Sequence, residues 1–231
     1  MNDIINNHIQ ITNEIIYKIK PLMEFKKYIK YGYYPYYKEN KELYFQKLLN
    51  TINLIIEYDL PSIQSIEHKH MNSLKKLLQV IAESVPFKAN TSKLSDRIGI
   101  TRNTLLLYLT YLQKAQTISF LNTADKGYGY LTKPEKIYLD NTNLAYAFSN
   151  ENANIGNIRE TFFLNQVSKS HKVNYSKVSD FLVDEKYTFE IGGKNKTSKQ
   201  IKSLENAFIA QDDIEIGYKN IIPLWLFGFL Y

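Results

Sequence analysis

Asp180 and Glu190 are the side chains whose types and spacing point most directly to chemistry. They bracket two aromatic and β-branched runs, 181–183 and 187–190, separated by the polar Asp184-Glu185-Lys186, and this pattern predicts a β-hairpin. With a three-residue turn, Val183 faces Tyr187 and Asp180 faces Glu190. Directly opposed residues on one face of an antiparallel pair have Cβ atoms about 4.5–5.5 Å apart, so two carboxylates converge. Like charges at that spacing repel unless a cation sits between them. Mg2+ suits such a place, since it takes one or two carboxylates and keeps its remaining waters. Glu160 is the third candidate ligand. On a helix over 157–170 centred on Phe163 and Val167 it falls on the apolar side near Leu164, where an acid is expected to be paired, hydrogen-bonded or bound to a cation.

The elements that must position these groups follow from periodicity. Residues 4–28 carry Ile5, Ile9, Ile15, Ile16 and Ile19 at helical spacing, with Pro21 ending or kinking the helix. Residues 41–58 predict a second amphipathic helix, and 72–84 a third that buries Leu74, Leu77, Leu78 and Ile81. A short helix over 90–98, capped by Thr91 or Ser92, is broken by Gly99. Thr101 then caps a longer helix over 102–116. Helix, glycine turn and helix form a helix-turn-helix pattern. Strands at 118–121 and 136–139 flank the polar loop 122–133, which would be the wing of a winged helix. A short helix at 143–148, the hairpin, a helix over 198–210 and a strand at 214–217 complete an α/β layer, against which the apolar segment 221–231 docks.

Composition limits the partners. The chain has 231 residues, 44% hydrophobic, enough for real cores in one large or two small domains. Its longest apolar run, 221–231, is interrupted by Pro223 and Gly228 and is too short to span a bilayer, so no membrane partner is expected. There is no cysteine and no secretory leader pattern, which makes a cytoplasmic location the default. A net charge of +6 favours an anionic partner such as DNA. On the second helix of the helix-turn-helix, Leu105, Leu109 and Leu112 define the core side, while Asn103, Leu107, Thr110 and Lys114 point away. Lys93, Arg97 and Arg102 are placed to meet phosphates, which position a protein without specifying sequence. The four histidines, His8, His68, His70 and His171, lack metal-ligand spacing except His68 and His70, which at i and i+2 are not neighbours on a helix, and they read as surface residues.

Several segments together resemble the C-terminal half of prokaryotic AAA-type ATPases whose tail is a domain of unknown function. The marks are YGYYP at 31–35, the 91–121 helix-turn-helix, KIYLD at 136–140 with its following NLA, Gly156 through ETFF at 160–163, SDF at 179–181, EIGGK at 190–194 and IPLW at 222–225. The resemblance implies three parts: a helical region over 1–65 left from an ATPase lid or linker, a winged helix over 66–140, and a PD-(D/E)XK domain over 141–231 built on the restriction-endonuclease core. The implied fold is therefore α+β or α/β. In that family a P-loop domain precedes this region. No Gly-x-x-x-x-Gly-Lys-Ser/Thr occurs here, so ATP hydrolysis is not expected. The resemblance implies Asp180 and Glu190 as nuclease acids, but Gly192 stands where the family pattern has lysine, and Lys194 becomes the displaced catalytic cation.

Three functions are consistent with these residues. The first is a nucleic-acid or partner-protein binding module with a degenerate nuclease-like domain. The second is a Mg2+-dependent DNA nuclease using Asp180, Glu190 and Lys194. The third is an assembly partner for a separately encoded P-loop ATPase subunit.

Overall fold

Pro21 divides the N-terminal helical pattern into α1 (Asn2–Ile16) and α2 (Pro21–Tyr31). Proline is well placed at the start of a helix, where the N–H it lacks would have no intrahelical partner. The computed structural model describes residues 1–64, 70–83, 87–88, 90–124, 133–149, 152–197, 201 and 204–230. Next come α3 (Tyr36–Glu39), α4 (Tyr44–Leu54), a π-helical turn (Ile55–Asp59), α5 (Leu60–Gln64), α6 (Met71–Glu83), β1 (Phe87–Lys88), α7 (Thr91–Ile98) and α8 (Arg102–Lys114). The chain continues through β2 (Ile118–Leu121), β3 (Lys136–Leu139), α9 (Thr142–Phe148) and α10 (Ile155–Val167). Strands β4 (Val173–Tyr175), β5 (Phe181–Val183), β6 (Tyr187–Gly192), β7 (Ala207–Gln211) and β8 (Ile221–Pro223) lead to a closing 3-10 helix (Leu224–Phe229). The architecture is mixed α+β, helical towards the N-terminus with its larger sheet towards the C-terminus. The fold groups these segments as two compact units, residues 31–153, and residues 1–30 together with 154–231.

In the unit of residues 31–153, Tyr44, Leu48, Ile52, Ile56 and Leu60 are all buried. A step of four residues overshoots the 3.6-residue α-helical turn, and the wider π turn offsets that drift, keeping the stripe on one side. The cap of α7 is Asn90, whose side chain accepts from the Lys93 N–H at 3.1 Å, and not the expected Thr91 or Ser92. Gly99 ends α7 in the left-handed region at φ +78°, the conformation glycine adopts without penalty. Thr101 caps α8 as expected, accepting from the Thr104 N–H at 3.2 Å. Strands β2 and β3 pair antiparallel from Ile118 opposite Leu139 to Leu121 opposite Lys136, with β1 on the far side of β3. Most of the expected wing, residues 125–132, lies outside the described residues. Asn143 ties two parts of this unit together, its Oδ1 accepting from the Tyr33 N–H at 2.9 Å and the Tyr44 hydroxyl at 2.5 Å. Burial pushes the Tyr34 hydroxyl up to about 12, although Asn141 Nδ2 donates to it at 2.9 Å.

In the other unit the five-stranded sheet has the order β4-β5-β6-β7-β8, antiparallel from β4 to β6 and parallel from β6 to β8. The expected hairpin is present with Val183 opposite Tyr187. Its turn holds Asp184 and Glu185 at φ +52° and +56°, in the left-handed region, which aspartate tolerates better than most residues. Helix α10 is buried on nearly all sides from Phe162 to Val167, and Phe163 packs its ring among Phe181, Phe189 and Phe227.

Three expectations for this unit are corrected. The helix expected over 198–210 is not formed where it is described, because Ala207–Gln211 is a strand held between β6 and β8; residues 198–200 and 202–203 lie outside the described residues. The strand expected at 214–217 is a bent loop instead. Asp213, at φ +61°, breaks the extended run, and the Ile214 carbonyl accepts from Trp225 Nε1 at 3.1 Å rather than joining a ladder. The buried stripe of α1 is Ile4, His8 and Thr12, not the isoleucines that marked it in sequence, and Ile9 is exposed. Thr12 is satisfied there by donating to the His8 carbonyl at 2.7 Å, and His8 Nε2 lies 3.2 Å from the Lys219 carbonyl, while His8 Nδ1 is buried without a hydrogen-bond partner. His8 is thus a core residue, and His171 Nδ1 pairs with Asp184 at 2.7 Å.

Candidate functional site

Glu190 sits in the central strand β6, whose residues 187–191 are all buried, and is itself only 3% exposed. A carboxylate at such a place has to be compensated. The register Phe181 opposite Phe189 puts Asp180 opposite Glu190 one step further on. Strand β5 has begun only at Phe181, so the Asp180 carboxylate takes the part of a ladder carbonyl, accepting from the Ile191 N–H at 2.8 Å. The two sequence-predicted acids are thereby brought to one end of the hairpin.

The cation at Glu190 is Lys196, not Lys194. Lys196 Nζ lies 2.5 Å from Glu190 Oε1, while Lys194 is exposed and contributes only its backbone carbonyl, which accepts from Gln211 Nε2 at 2.8 Å. The strand ends at Gly192, so the alternation that would carry Lys194 back over the Glu190 face is lost. A turn follows, closed by the Lys196 N–H donating to the Gly193 carbonyl at 2.9 Å, and it returns Lys196 across the strand end. Gly192 makes this path open. A Cβ on residue 192 would stand 2.5–2.7 Å from the Lys196 Cβ, Cγ and Cδ. Glycine at a strand end of this kind marks a close approach by another group. The side chain missing at 192 is therefore replaced in space by one from four residues later.

Gly193 does the same on the other face, where its Cβ would stand 2.9 Å from the Arg159 guanidinium. Arg159 Nε donates to Asp212 at 2.8 Å, and its Nη2 lies 3.4 Å from Asp213. Glu160, next to it on α10, is half-buried. Among the described residues no three acids or histidines stand close enough to hold one ion, so Glu160 does not complete a three-acid cluster with Asp180 and Glu190. One atom is left over: Glu190 Oε2 is buried with no hydrogen-bond partner. Sequence reading missed Lys196, Gln211 and the Arg159–Asp212 pair. The double glycine was the available signal for the first, since two missing side chains at a strand end leave room that something must fill.

In the other unit, Lys93, Arg97, Arg102, Asn103 and Lys114 are all exposed on α7 and α8. Arg97 also meets Glu83 at 3.4 Å across the surface. Thr110, expected to point outward, is buried, with its hydroxyl donating to the Leu106 carbonyl at 2.9 Å. Helix α8 is covered on more than one side, by α6, α7 and β2, so its outward face is narrower than the leucine stripe implies. Leu107 remains exposed on it.

These features define a mixed α+β protein with helices leading and a five-stranded sheet closing the chain, in which no described helix is long and apolar enough to cross a membrane. The chain belongs to the family described as Domain of unknown function (DUF8612), whose model matches residues 22–155. That range covers the unit with α7 and α8 and stops before the carboxylate site. No curated protein and no solved structure matches the chain.

Proposed function

We propose that this chain is a binding module related to the C-terminal half of AAA-type ATPases. It combines a winged helix with a degenerate nuclease-like unit, and its partner is nucleic acid or a protein. The 231 residues hold no P-loop, and nucleotide hydrolysis is not among the activities assigned to them. Nucleic acid is the partner that the exposed residues favour. The observation that carries this is the α7–Gly99–α8 arrangement, with Lys93 and Arg97 exposed on α7, Arg102 and Asn103 exposed at the start of α8 and Lys114 exposed at its end. Cations on such a surface neutralise phosphates and release counterions, which makes binding steeply salt-dependent.

Fluorescence anisotropy with a labelled duplex tests the reading. Binding is expected at about 50 mM salt and is expected to weaken steeply by about 200 mM. Arg102→Ala is expected to weaken binding on all sequences alike and to reduce the salt slope by about one. An absence of binding to duplex or single-stranded DNA at low salt would sink the nucleic-acid form of the proposal.

A second reading, a Mg2+-dependent nuclease, is favoured by the unpartnered buried Glu190 Oε2 on the strand whose next N–H, that of Ile191, Asp180 accepts. The donor types fit a divalent cation, which Asp180 and Glu190 would hold, and the ion would supply charge neutralisation for a phosphodiester. Glu190 is already neutralised by Lys196. The degenerate reading is preferred for that reason.

A further inference from the structure

A cavity of about 340 Å³ lies among α2, α10 and the closing 3-10 helix, all within the unit of residues 1–30 and 154–231. Small-molecule sites run from about 300 to 1,000 Å³, so this one suits a small ligand. Five of its lining side chains are aromatic: Phe25, Tyr28, Phe162, Trp225 and Phe229. Phe25, Phe162 and Trp225 are buried, whereas Phe229 is 55% exposed and Ile19 is exposed beside it in the lining, which gives the cavity an apolar mouth. Phe25 and Phe162 meet edge to face at 4.8 Å and 76°, and Trp225 and Phe229 at 6.0 Å and 84°, so the rings stand as separate walls and do not collapse into a stack. Trp225 Nε1 already donates to the Ile214 carbonyl, which leaves Trp225 to offer the cavity carbon and no donor. One acid, Glu24, belongs to the lining, and among the described residues no lysine, arginine or histidine does.

Aromatic faces carry partial negative charge, so rings and a carboxylate together, with no cation in the lining, select a positively charged ligand. Lys27 meets Glu24 at 2.9 Å on the surface, but both side chains are about half exposed, and an i,i+3 pair of that kind gives way readily. A primary ammonium is strongly hydrated and needs acceptors for three N–H groups. Glu24 and the Tyr28 hydroxyl supply the only side-chain oxygens of the lining. A fully methylated ammonium asks for no hydrogen bond at all. We propose that this cavity binds a small molecule carrying a quaternary ammonium group, with its methyl groups against the rings and its charge facing Glu24. The ligand is a free molecule and not a methylated lysine of another protein, because Ile19 and Phe229 at the mouth give the flanking N–H and C=O groups of a peptide nothing to pair with. No residue of α7, α8 or the Glu190 site takes part. Loss of duplex binding therefore leaves this proposal untouched, and the titration below bears on this proposal alone.

Trp225 is the one tryptophan of the chain, so its fluorescence reports on the cavity directly. The test titrates the full chain with choline at neutral pH, followed by tryptophan fluorescence and by calorimetry. Two further ligands run beside it: the uncharged isostere of choline, in which a tert-butyl group replaces trimethylammonium, and a short peptide containing trimethyl-lysine. Choline is expected to bind saturably, and the isostere at least about tenfold more weakly. Phe229→Ala and Glu24→Gln, both at exposed positions, are each expected to weaken choline binding by about three- to tenfold. Tyr17→Ala, exposed and outside the lining, is expected to match wild type. An isostere that binds as tightly as choline would reveal a merely apolar cavity and overturn the proposal. No saturable choline binding, wild-type affinity in Phe229→Ala or Glu24→Gln, or an equal loss in Tyr17→Ala would overturn it as well. A trimethyl-lysine peptide that binds more tightly than choline would overturn the assignment to a small molecule. The comparison of choline with its isostere needs only the wild type, and it decides even if a variant fails to fold.

Discussion

Phe163→Ala is expected to lower the stability of its unit by about 3–5 kcal/mol, the cost of removing a fully buried aromatic ring from a core that cannot close over the gap. Phe163 is 0% exposed, and its ring centroid lies 5.2 Å from that of Phe181, 5.0 Å from Phe189 and 4.8 Å from Phe227. Those partners come from β5, β6 and the closing 3-10 helix, so one ring on α10 joins the helix to both strands of the hairpin and to the end of the chain. Phe163→Leu is expected to cost less, because it keeps most of the apolar volume. Chemical denaturation followed by circular dichroism checks both. A Phe163→Ala protein as stable as the parent would contradict the placement of α10 against this sheet.

The second large effect concerns charge. Lys196→Met removes the counter-ion of a buried carboxylate, and breaking a fully buried pair in this way costs about 3–5 kcal/mol. Lys196 keeps partial access to water, so a smaller loss of about 2 kcal/mol is expected here. Glu190→Gln alone leaves a lysine that can turn to solvent and is expected to cost about 1 kcal/mol. The double variant Glu190→Gln/Lys196→Met is expected to be more stable than Lys196→Met alone, because no unpaired buried charge remains. A double-mutant cycle by urea denaturation measures this coupling directly. Additive single effects would mean that the two side chains do not interact in solution.

The parts of this fold legible in the sequence are those that local chemistry decides. The hairpin is legible from its aromatic and β-branched runs around a polar turn, and its register from a three-residue turn, because the side-chain period of a strand fixes the facing residues once the turn length is set. The α7–Gly99–α8 arrangement was read from a glycine that adopts φ +78° and from Thr101 as a cap. What tertiary pairing decides was not legible. Residues 201, 204, 207 and 208 are apolar at helical spacing, yet Ala207–Gln211 is a strand because β6 and β8 offer it hydrogen bonds on both sides. In the structure Asn206 adopts φ +53°, a left-handed conformation through which a right-handed helix does not continue. The association of residues 1–30 with 154–231 depends on contacts such as Tyr187 Oη donating to Asn2 Oδ1 at 2.6 Å, across 185 positions that no periodicity spans. The site divides in the same way. Asp180 and Glu190 were legible from the hairpin, whereas Lys196 reaches Glu190 only through a turn that follows the end of the strand.

The most direct test of the account as a whole is to incubate wild-type protein with supercoiled plasmid and Mg2+ while measuring duplex binding on the same preparation at low salt. A binding module whose nuclease-like site is closed by Lys196 predicts that the duplex is bound and the plasmid stays supercoiled. Nicking or linearisation that disappears in Glu190→Ala would contradict the account and make this chain a Mg2+-dependent nuclease.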